Sequence, residues 1–121
     1  MADIFDLTTA LEQAGGSEAL ARDLFTMLLN ELPTQRESIC LAFQRVSTEG
    51  CALDTLWDPV HKLHGSTAYL GVPALKQAIK AFEDKIKGDE RNQFASYFKI
   101  LDAEIQNLLE QGETILSQSW T

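Results

Sequence analysis

The chain has 121 residues, of which 45% are hydrophobic and 23% charged, and its formal net charge at pH 7 is −8. This length suits a single domain with its own hydrophobic core, and three prolines and seven glycines are too few for a disordered linker. The acidic balance argues against nucleic acid or an anionic membrane surface as a partner, and no apolar run is long enough to span a bilayer.

Apolar residues recur at helical spacing along nearly the whole chain, and no stretch alternates like a strand. A short first helix, with Leu7 and Leu11 on its apolar face, is predicted to end at Gly15-Gly16. A second helix is predicted from about Ser17 to Val46 as one bent element, because its register continues across Pro33. The apolar stripe of this second helix consists of Ala21, Phe25, Leu28, Leu32, Gln35, Ile39, Ala42 and Val46.

The third helix has a clear apolar stripe, but two positions are possible for its N-terminus. Its stripe consists of Leu53, Leu56, Val60, Leu63, Thr67 and Leu70. Gly71 is predicted to follow it in the left-handed conformation that ends many helices. The start is either at Asp54 as the N-cap, or at Asp58-Pro59 as N-cap and first helical residue.

Two further helices complete the chain. Pro73 is predicted to be the first residue of the fourth helix, and Gly88 to end it. Asp89 is predicted to cap the fifth helix, of about 28 residues, in which Gly112 indicates close approach of another backbone. The two stripes are Leu75, Ile79, Phe82 and Ile86, then Phe94, Phe98, Leu101, Ile105, Leu108, Gly112 and Ile115.

These elements define an all-α fold. Four long amphipathic helices with short connections bury their stripes most simply as an antiparallel four-helix bundle, with the short N-terminal helix capping one end. The two cysteines, Cys40 and Cys51, form neither a disulfide framework nor a metal-ligand pattern. We therefore expect residues 1–121 to form one cytoplasmic domain without direct membrane contact.

One stretch of the third helix, residues 60–71, holds both histidines of the chain. His61 is predicted to lie about 140° from the centre of the apolar stripe, on the solvent side, and His64 at the flank of the stripe. Gly65 lies one turn after His61 and Ala68 one turn after His64, so this face has little side-chain bulk beside the two imidazoles. An exposed imidazole beside bare backbone is accessible to a second protein, although an isolated exposed histidine is more often an ordinary surface residue. The pair lacks a third metal ligand at suitable spacing, so no metal site is expected.

The residues His61-Lys62-Leu63-His64-Gly65-Ser66-Thr67 and Leu70-Gly71 resemble the HxLKGSSxxLG signature of the histidine-containing phosphotransfer (HPt) family. The resemblance covers essentially the whole chain, including the proline inside the second helix, and the fold of that family is a four-helix bundle. The variant His-Lys-Leu-His-Gly, followed by Gly-Val-Pro, is similar to the C-terminal module of BarA/GacS-type hybrid sensor kinases. One position departs from the pattern, because the family usually has lysine where this chain has His64.

The resemblance implies a phosphorelay intermediate. His61 would accept a phosphoryl group from the aspartyl phosphate of a hybrid sensor kinase's receiver domain and pass it to the aspartate of a response regulator. Phosphoryl transfer is mostly positioning and charge neutralisation, and Mg²⁺ would be bound by the receiver domain, so no cofactor is expected on this chain. A chain of 121 residues has no room for an ATP-binding domain beside the bundle, so no autokinase activity is expected either. One exposed reactive histidine per domain favours a monomer.

Further residues complete the predicted site. Beside the phosphorylated ring, His64 would donate to the phosphoryl oxygens when protonated, unless it is a half-buried structural histidine. Glu83, on the antiparallel fourth helix, is expected to orient the ring of His61 through a hydrogen bond. Ser66 and Thr67 are expected to bond to the helix backbone or to pack.

Charge also distinguishes this region. Between residues 60 and 88 five lysines face two acidic residues, a local net of +3 that leaves −11 on the rest of the chain. A basic surface suits docking to the acidic pocket of a receiver domain, although solvated helix faces explain the lysines as well. These five lysines are Lys62, Lys76, Lys80, Lys85 and Lys87.

Two other functions are alternatives to the phosphorelay interpretation. In the phosphoacceptor helix pair of a histidine kinase, an acidic residue usually follows the histidine, whereas Lys62 follows His61 here. The second alternative is a helical-bundle adaptor that binds a partner protein and never carries phosphate.

Overall fold

A computed structural model describes residues 3–120, and the elements within that range are helical. Five α-helices and one short 3₁₀ turn follow one another along the chain. They are α1 (Leu7–Gln13), α2 (Glu18–Glu49), α3 (Asp54–Thr67), α4 (Pro73–Lys87), the 3₁₀ turn Arg91–Gln93 and α5 (Phe94–Ser117). Within residues 3–120 no helix is both long and apolar enough to cross a membrane.

The long helices form a four-membered ring of contacts. Helices α2 and α3, α3 and α4, α4 and α5, and finally α2 and α5 pack against each other. The stripes predicted from the sequence point into this ring, because every residue of the predicted α2 and α4 stripes is buried. The predicted four-helix bundle is confirmed.

Helix α2 is continuous through Pro33, as the unbroken register predicted. Ser17 caps its N-terminus, where the Ser17 hydroxyl accepts a hydrogen bond from the Leu20 N–H at 3.1 Å. The helix ends at Gly50, which adopts the left-handed conformation with φ 67°. This helix provides one wall of the core along its whole length.

Helix α1 lies across one end of the bundle, over the connection between α3 and α4. Asp6 caps α1 and donates its own N–H to the Gly71 carbonyl at 2.8 Å. A Cβ atom at position 71 would lie 2.5 Å from the Asp6 carbonyl oxygen and 2.8 Å from the Ala10 nitrogen, and φ at Gly71 is +60°. Only glycine fits such a contact without displacing the backbone, so the Leu-Gly pair at this position holds α1 in place.

Both ends of helix α3 differ from the positions that the sequence predicts. Neither proposed cap is used: Leu53 is the N-cap residue and Asp54 the first helical residue, while Pro59 lies inside the helix. The helix ends at Thr67, four residues before Gly71, so the prediction that Gly71 directly follows the helix is wrong. The intervening residues form a turn that carries the buried Leu70 into the core.

Two predictions around α5 are also wrong. Asp89 does not cap the helix: it has φ 51° and its carboxylate accepts from Arg91 Nε at 2.8 Å, and the 3₁₀ turn precedes α5. Helix α5 therefore has 24 residues. Gly112 is buried against a side chain and not against a backbone, since a Cβ there would lie 2.7 Å from a methyl carbon of Leu29.

Candidate functional site

The two histidines of α3 lie three residues apart and differ in exposure. The side chain of His61 is 62% exposed, whereas that of His64 is 26% exposed. This matches the predicted placement of His61 on the solvent side and of His64 at the flank of the apolar stripe. The first imidazole is therefore accessible to another protein, and the second faces the neighbouring helix.

Glu83 reaches the histidines from α4, with a side chain that is only 8% exposed. Its Oε1 lies 2.6 Å from His64 Nδ1 and 3.5 Å from His61 Nδ1. The direct hydrogen bond is thus made with His64, and not with His61 as the sequence suggested. Burial of a carboxylate is costly unless it is hydrogen-bonded, and His64 supplies that bond.

The position of Glu83 also bears on which nitrogen of His61 carries the proton, although its hydrogen bond is made with His64. Because a carboxylate only accepts hydrogen bonds, it favours a proton on the nitrogen that faces it, which is Nδ1 in both rings. In a neutral imidazole the other nitrogen then carries the lone pair. In that tautomer the lone pair of His61 is on Nε2, and the ring that carries it is largely exposed.

Trp57 holds the ring of His61 from one helical turn earlier. The two rings are stacked, with centroids 5.1 Å apart and an interplanar angle of 14°. Lys87 Nζ in turn lies 5.3 Å from the centroid of the Trp57 ring. Trp57 lies outside the sequence motif, but its i, i+4 spacing from His61 indicates that the two side chains share one face of the helix.

The surface beside His61 is open. A Cβ atom at Gly65 would meet nothing within 4 Å, so no neighbour inside the domain requires glycine there. Ala68 is half-buried immediately after the end of α3, and Lys62 is exposed next to His61. The structure leaves room at these positions for a group from outside the chain.

The hydroxyl groups of the motif bond to the helix itself. Ser66 Oγ donates to the Lys62 carbonyl at 3.2 Å, and Thr67 Oγ1 donates to the His64 carbonyl at 2.8 Å. Thr67 is also buried. Both side chains have the backbone-bonding role that the sequence predicted.

The lysines of residues 60–88 do not all lie free around the site. Lys62, Lys76 and Lys80 are exposed. Lys85 instead pairs with Glu90 at 3.3 Å and lies over the ring of Tyr97, so its charge is directed toward α5. The basic surface beside His61 therefore consists of fewer lysines than the count along the chain implies.

Metal-ligating atoms also converge here. One nitrogen from each histidine and one oxygen from Glu83 lie within 4.8 Å of one another. Spacing along the chain revealed only the two histidines, because the third donor comes from a different helix.

Comparison with known proteins agrees with this fold and motif. The family model of the Hpt domain matches residues 23–112. The crystal structure of the HPT domain from a sensor hybrid histidine kinase of Shewanella is similar to this chain, with a TM-score of 0.82 and 26% identity over 96% of each chain. The chain therefore belongs to the Hpt domain family, and its role is phosphotransfer in two-component signalling.

The curated relatives are much longer sensor kinases. The histidine-protein kinase BarA of Shigella flexneri is 32% identical over 114 residues, and the sensor histidine kinase GacS of Pseudomonas protegens is 35% identical over 111 residues. These alignments cover 94% and 92% of this chain, but only 11% of BarA and 12% of GacS. This chain is thus similar to one part of each of these kinases, as the variant motif predicted.

Proposed function

We propose that His61 Nε2 accepts a phosphoryl group from the aspartyl phosphate of a receiver domain and passes it to the aspartate of a response regulator. The observation that carries this proposal is the setting of His61: an exposed ring, stacked on Trp57, with its Nδ1 directed at a buried carboxylate. These features support Nε2 of the largely exposed His61 ring as the nucleophile.

The transfer requires little of this chain beyond positioning. The Nε2 lone pair attacks phosphorus, the bond to the aspartyl oxygen breaks, and the carboxylate of the donor leaves. The imidazole gains positive charge during attack, and the Glu83 carboxylate, 3.5 Å from Nδ1, stabilises that charge. The same steps in reverse transfer the phosphoryl group from His61 to the aspartate of the response regulator, and Mg²⁺ bound to the receiver domain would neutralise charge on the transferring oxygens.

Gly65, Ala68 and Lys62 serve docking in this proposal. The open surface at Gly65 and the small side chain of Ala68 admit the receiver domain, and the exposed Lys62 is complementary to its acidic pocket. His64, bonded to Glu83, lies beside the acceptor ring and adds positive charge near the phosphoryl group when it is protonated. The single-domain boundary 1–121 and the monomeric state stay predictions.

The proposal is tested with a radiolabelled, phosphorylated receiver domain. We expect label on the wild-type domain that is labile in acid and stable in alkali, which is typical of phosphohistidine, and no label on His61→Gln. The matched control His64→Gln should still accept label. Label on His61→Gln, or none on the folded wild-type domain despite receiver binding, would contradict the proposal, and the second result would favour the adaptor function. Incubation of the domain alone with ATP should give no label, since we propose that it has no autokinase activity.

A further inference from the structure

The three donor atoms at the site have the composition of a transition-metal site. Two imidazoles and one carboxylate form the His₂Glu set found with Zn²⁺, in which the fourth position is left to water or another ligand. Magnesium and calcium prefer sites made of oxygen atoms alone, so this donor set favours zinc over the Mg²⁺ used in phosphoryl transfer. The partial exposure of His61 leaves the fourth position open.

The distances are close to those that a metal needs. In tetrahedral zinc sites with bonds of about 2.0–2.1 Å, the ligand atoms lie about 3.3 Å apart. Here Glu83 Oε1 lies 2.6 Å and 3.5 Å from the two Nδ1 atoms, and the three donors are all within 4.8 Å of one another. Two donors are held by the fold, since Glu83 is buried and His64 is mostly buried. Binding of one ion by all three atoms requires the 2.6 Å pair of His64 and Glu83 to separate toward the ligand spacing of about 3.3 Å, which rotation of the side chains would provide.

We propose that His61, His64 and Glu83 bind one Zn²⁺ ion reversibly, and that the bound ion prevents His61 from accepting a phosphoryl group. Metal at Nδ1 takes the lone pair of that nitrogen, so the proton of the neutral ring moves to Nε2. An Nε2 that carries a proton has no lone pair with which to attack phosphorus. The inhibition rests on the proposed function of His61, whereas the binding of zinc does not.

Binding is tested by titrating Zn²⁺ alone into the metal-free domain and measuring heat. We expect one ion per chain, at least a tenfold weaker affinity in Glu83→Gln and in His64→Lys, and no displacement by millimolar Mg²⁺. Asp84→Asn is the matched control, because it removes the adjacent, exposed carboxylate of α4 and should bind zinc like the wild type. Equal affinity in wild type and both ligand variants would overturn the site, as would binding lost only in Asp84→Asn. If Glu83→Gln does not fold, His64→Lys decides the question alone.

Inhibition is tested with phosphoramidate, a small phosphoryl donor that needs no receiver domain. One equivalent of Zn²⁺ should slow phosphorylation of the wild-type domain at least tenfold and leave the rate of His64→Lys unchanged relative to its own metal-free rate. Equal slowing of both proteins, or slowing of neither, would overturn the inhibition. A wild-type domain that is not phosphorylated even without metal would instead contradict the proposed function, so the two failures are distinguishable.

Discussion

Two carboxylates join neighbouring helices of the bundle, and their partners differ. Asp102 of α5 binds Arg36 of α2 through both oxygens, with Oδ1 2.6 Å from Nε and Oδ2 3.2 Å from Nη2. Glu83 of α4 instead faces two imidazoles of α3. The hydrogen bond to Asp102 raises the pKa of Arg36 above its ordinary value, so that partner is permanently charged.

The ion pair between Arg36 and Asp102 is a structural bridge, whereas the contact of Glu83 with the two histidines also controls a reactive group. Arg36 has no lone pair to offer, and its bridge can only hold α2 and α5 together. Histidine changes charge near neutral pH and, when neutral, offers one nucleophilic nitrogen. The same cross-helix geometry thus stabilises the fold at one pair of helices and orients a reactive ring at the other.

Removal of the Glu83 carboxylate should have the largest effect on transfer among substitutions that keep His61. In Glu83→Ala we expect the rate of phosphoryl acceptance to fall roughly 10- to 100-fold, by analogy with carboxylates that orient metal-bound histidines, whose removal has effects of that size. Rates are measured by rapid quench against one phosphorylated receiver domain, with thermal unfolding as the check that the variant is folded. A folded variant with the wild-type rate would show that Glu83 does not orient the ring.

Added bulk at Gly65 should separate stability from transfer. Gly65→Gln replaces glycine in a helix where a Cβ meets no neighbour, so we expect the free energy of unfolding to rise by up to about 1 kcal/mol. Transfer from the receiver domain should nevertheless slow several-fold, because the new side chain obstructs its approach. Ala103→Gln, on the exposed surface of α5, is the control and should transfer normally. Equal rates in the two variants would refute the steric argument.

Exchange of His64 for the lysine usual in the family should stabilise the phosphorylated domain. Lysine is permanently charged, so His64→Lys places a fixed positive charge beside the phosphoryl group. The equilibrium fraction of phosphorylated domain, measured for both proteins at one pH against the same receiver domain, should therefore be higher in His64→Lys than in the wild type. An equal or lower fraction would exclude an electrostatic role for the side chain at this position.

Loss of the ion pair between Arg36 and Asp102 should affect stability but not phosphoryl transfer. Asp102→Asn removes a partly exposed ion pair and should lower the free energy of unfolding by up to about 1 kcal/mol, without altering transfer. Because the pKa of Arg36 is raised by its hydrogen bond to Asp102, the stabilisation from this ion pair is fully present at neutral pH and is lost only in strongly alkaline solution, where arginine gives up its proton. Chemical denaturation should therefore give the same loss at pH 6 and pH 8, and impaired transfer would contradict the division of roles.

The sequence predicted what depends on local periodicity. The stripes of α2, α4 and α5 and the exposure of His61 follow from residue spacing within one helix, and the structure confirms them. The ends of the helices are harder to predict from the sequence, because they depend on contacts outside the helix. Gly71 is held by its contact with α1, and Asp89 adopts a turn conformation in which it binds Arg91.

The site was predictable only in part for the same reason. The motif identified His61 and His64 on one helix. The partner that Glu83 binds, however, depends on how α3 and α4 are aligned, and a shift of one residue would direct the carboxylate elsewhere. The stacking of Trp57 on His61 required the structure as well, because i, i+4 spacing brings two side chains together without fixing their rings.

The most direct test of the account is the position of the phosphoryl group on the ring. Long-range ¹H–¹⁵N spectra of the labelled domain distinguish the two nitrogens of each histidine, before and after phosphorylation by a receiver domain. We predict a proton on Nδ1 of His61 in the free domain and the phosphoryl group on Nε2 of His61 afterwards, with His64 unmodified. A phosphoryl group on Nδ1 of His61, or on either nitrogen of His64, would contradict the account.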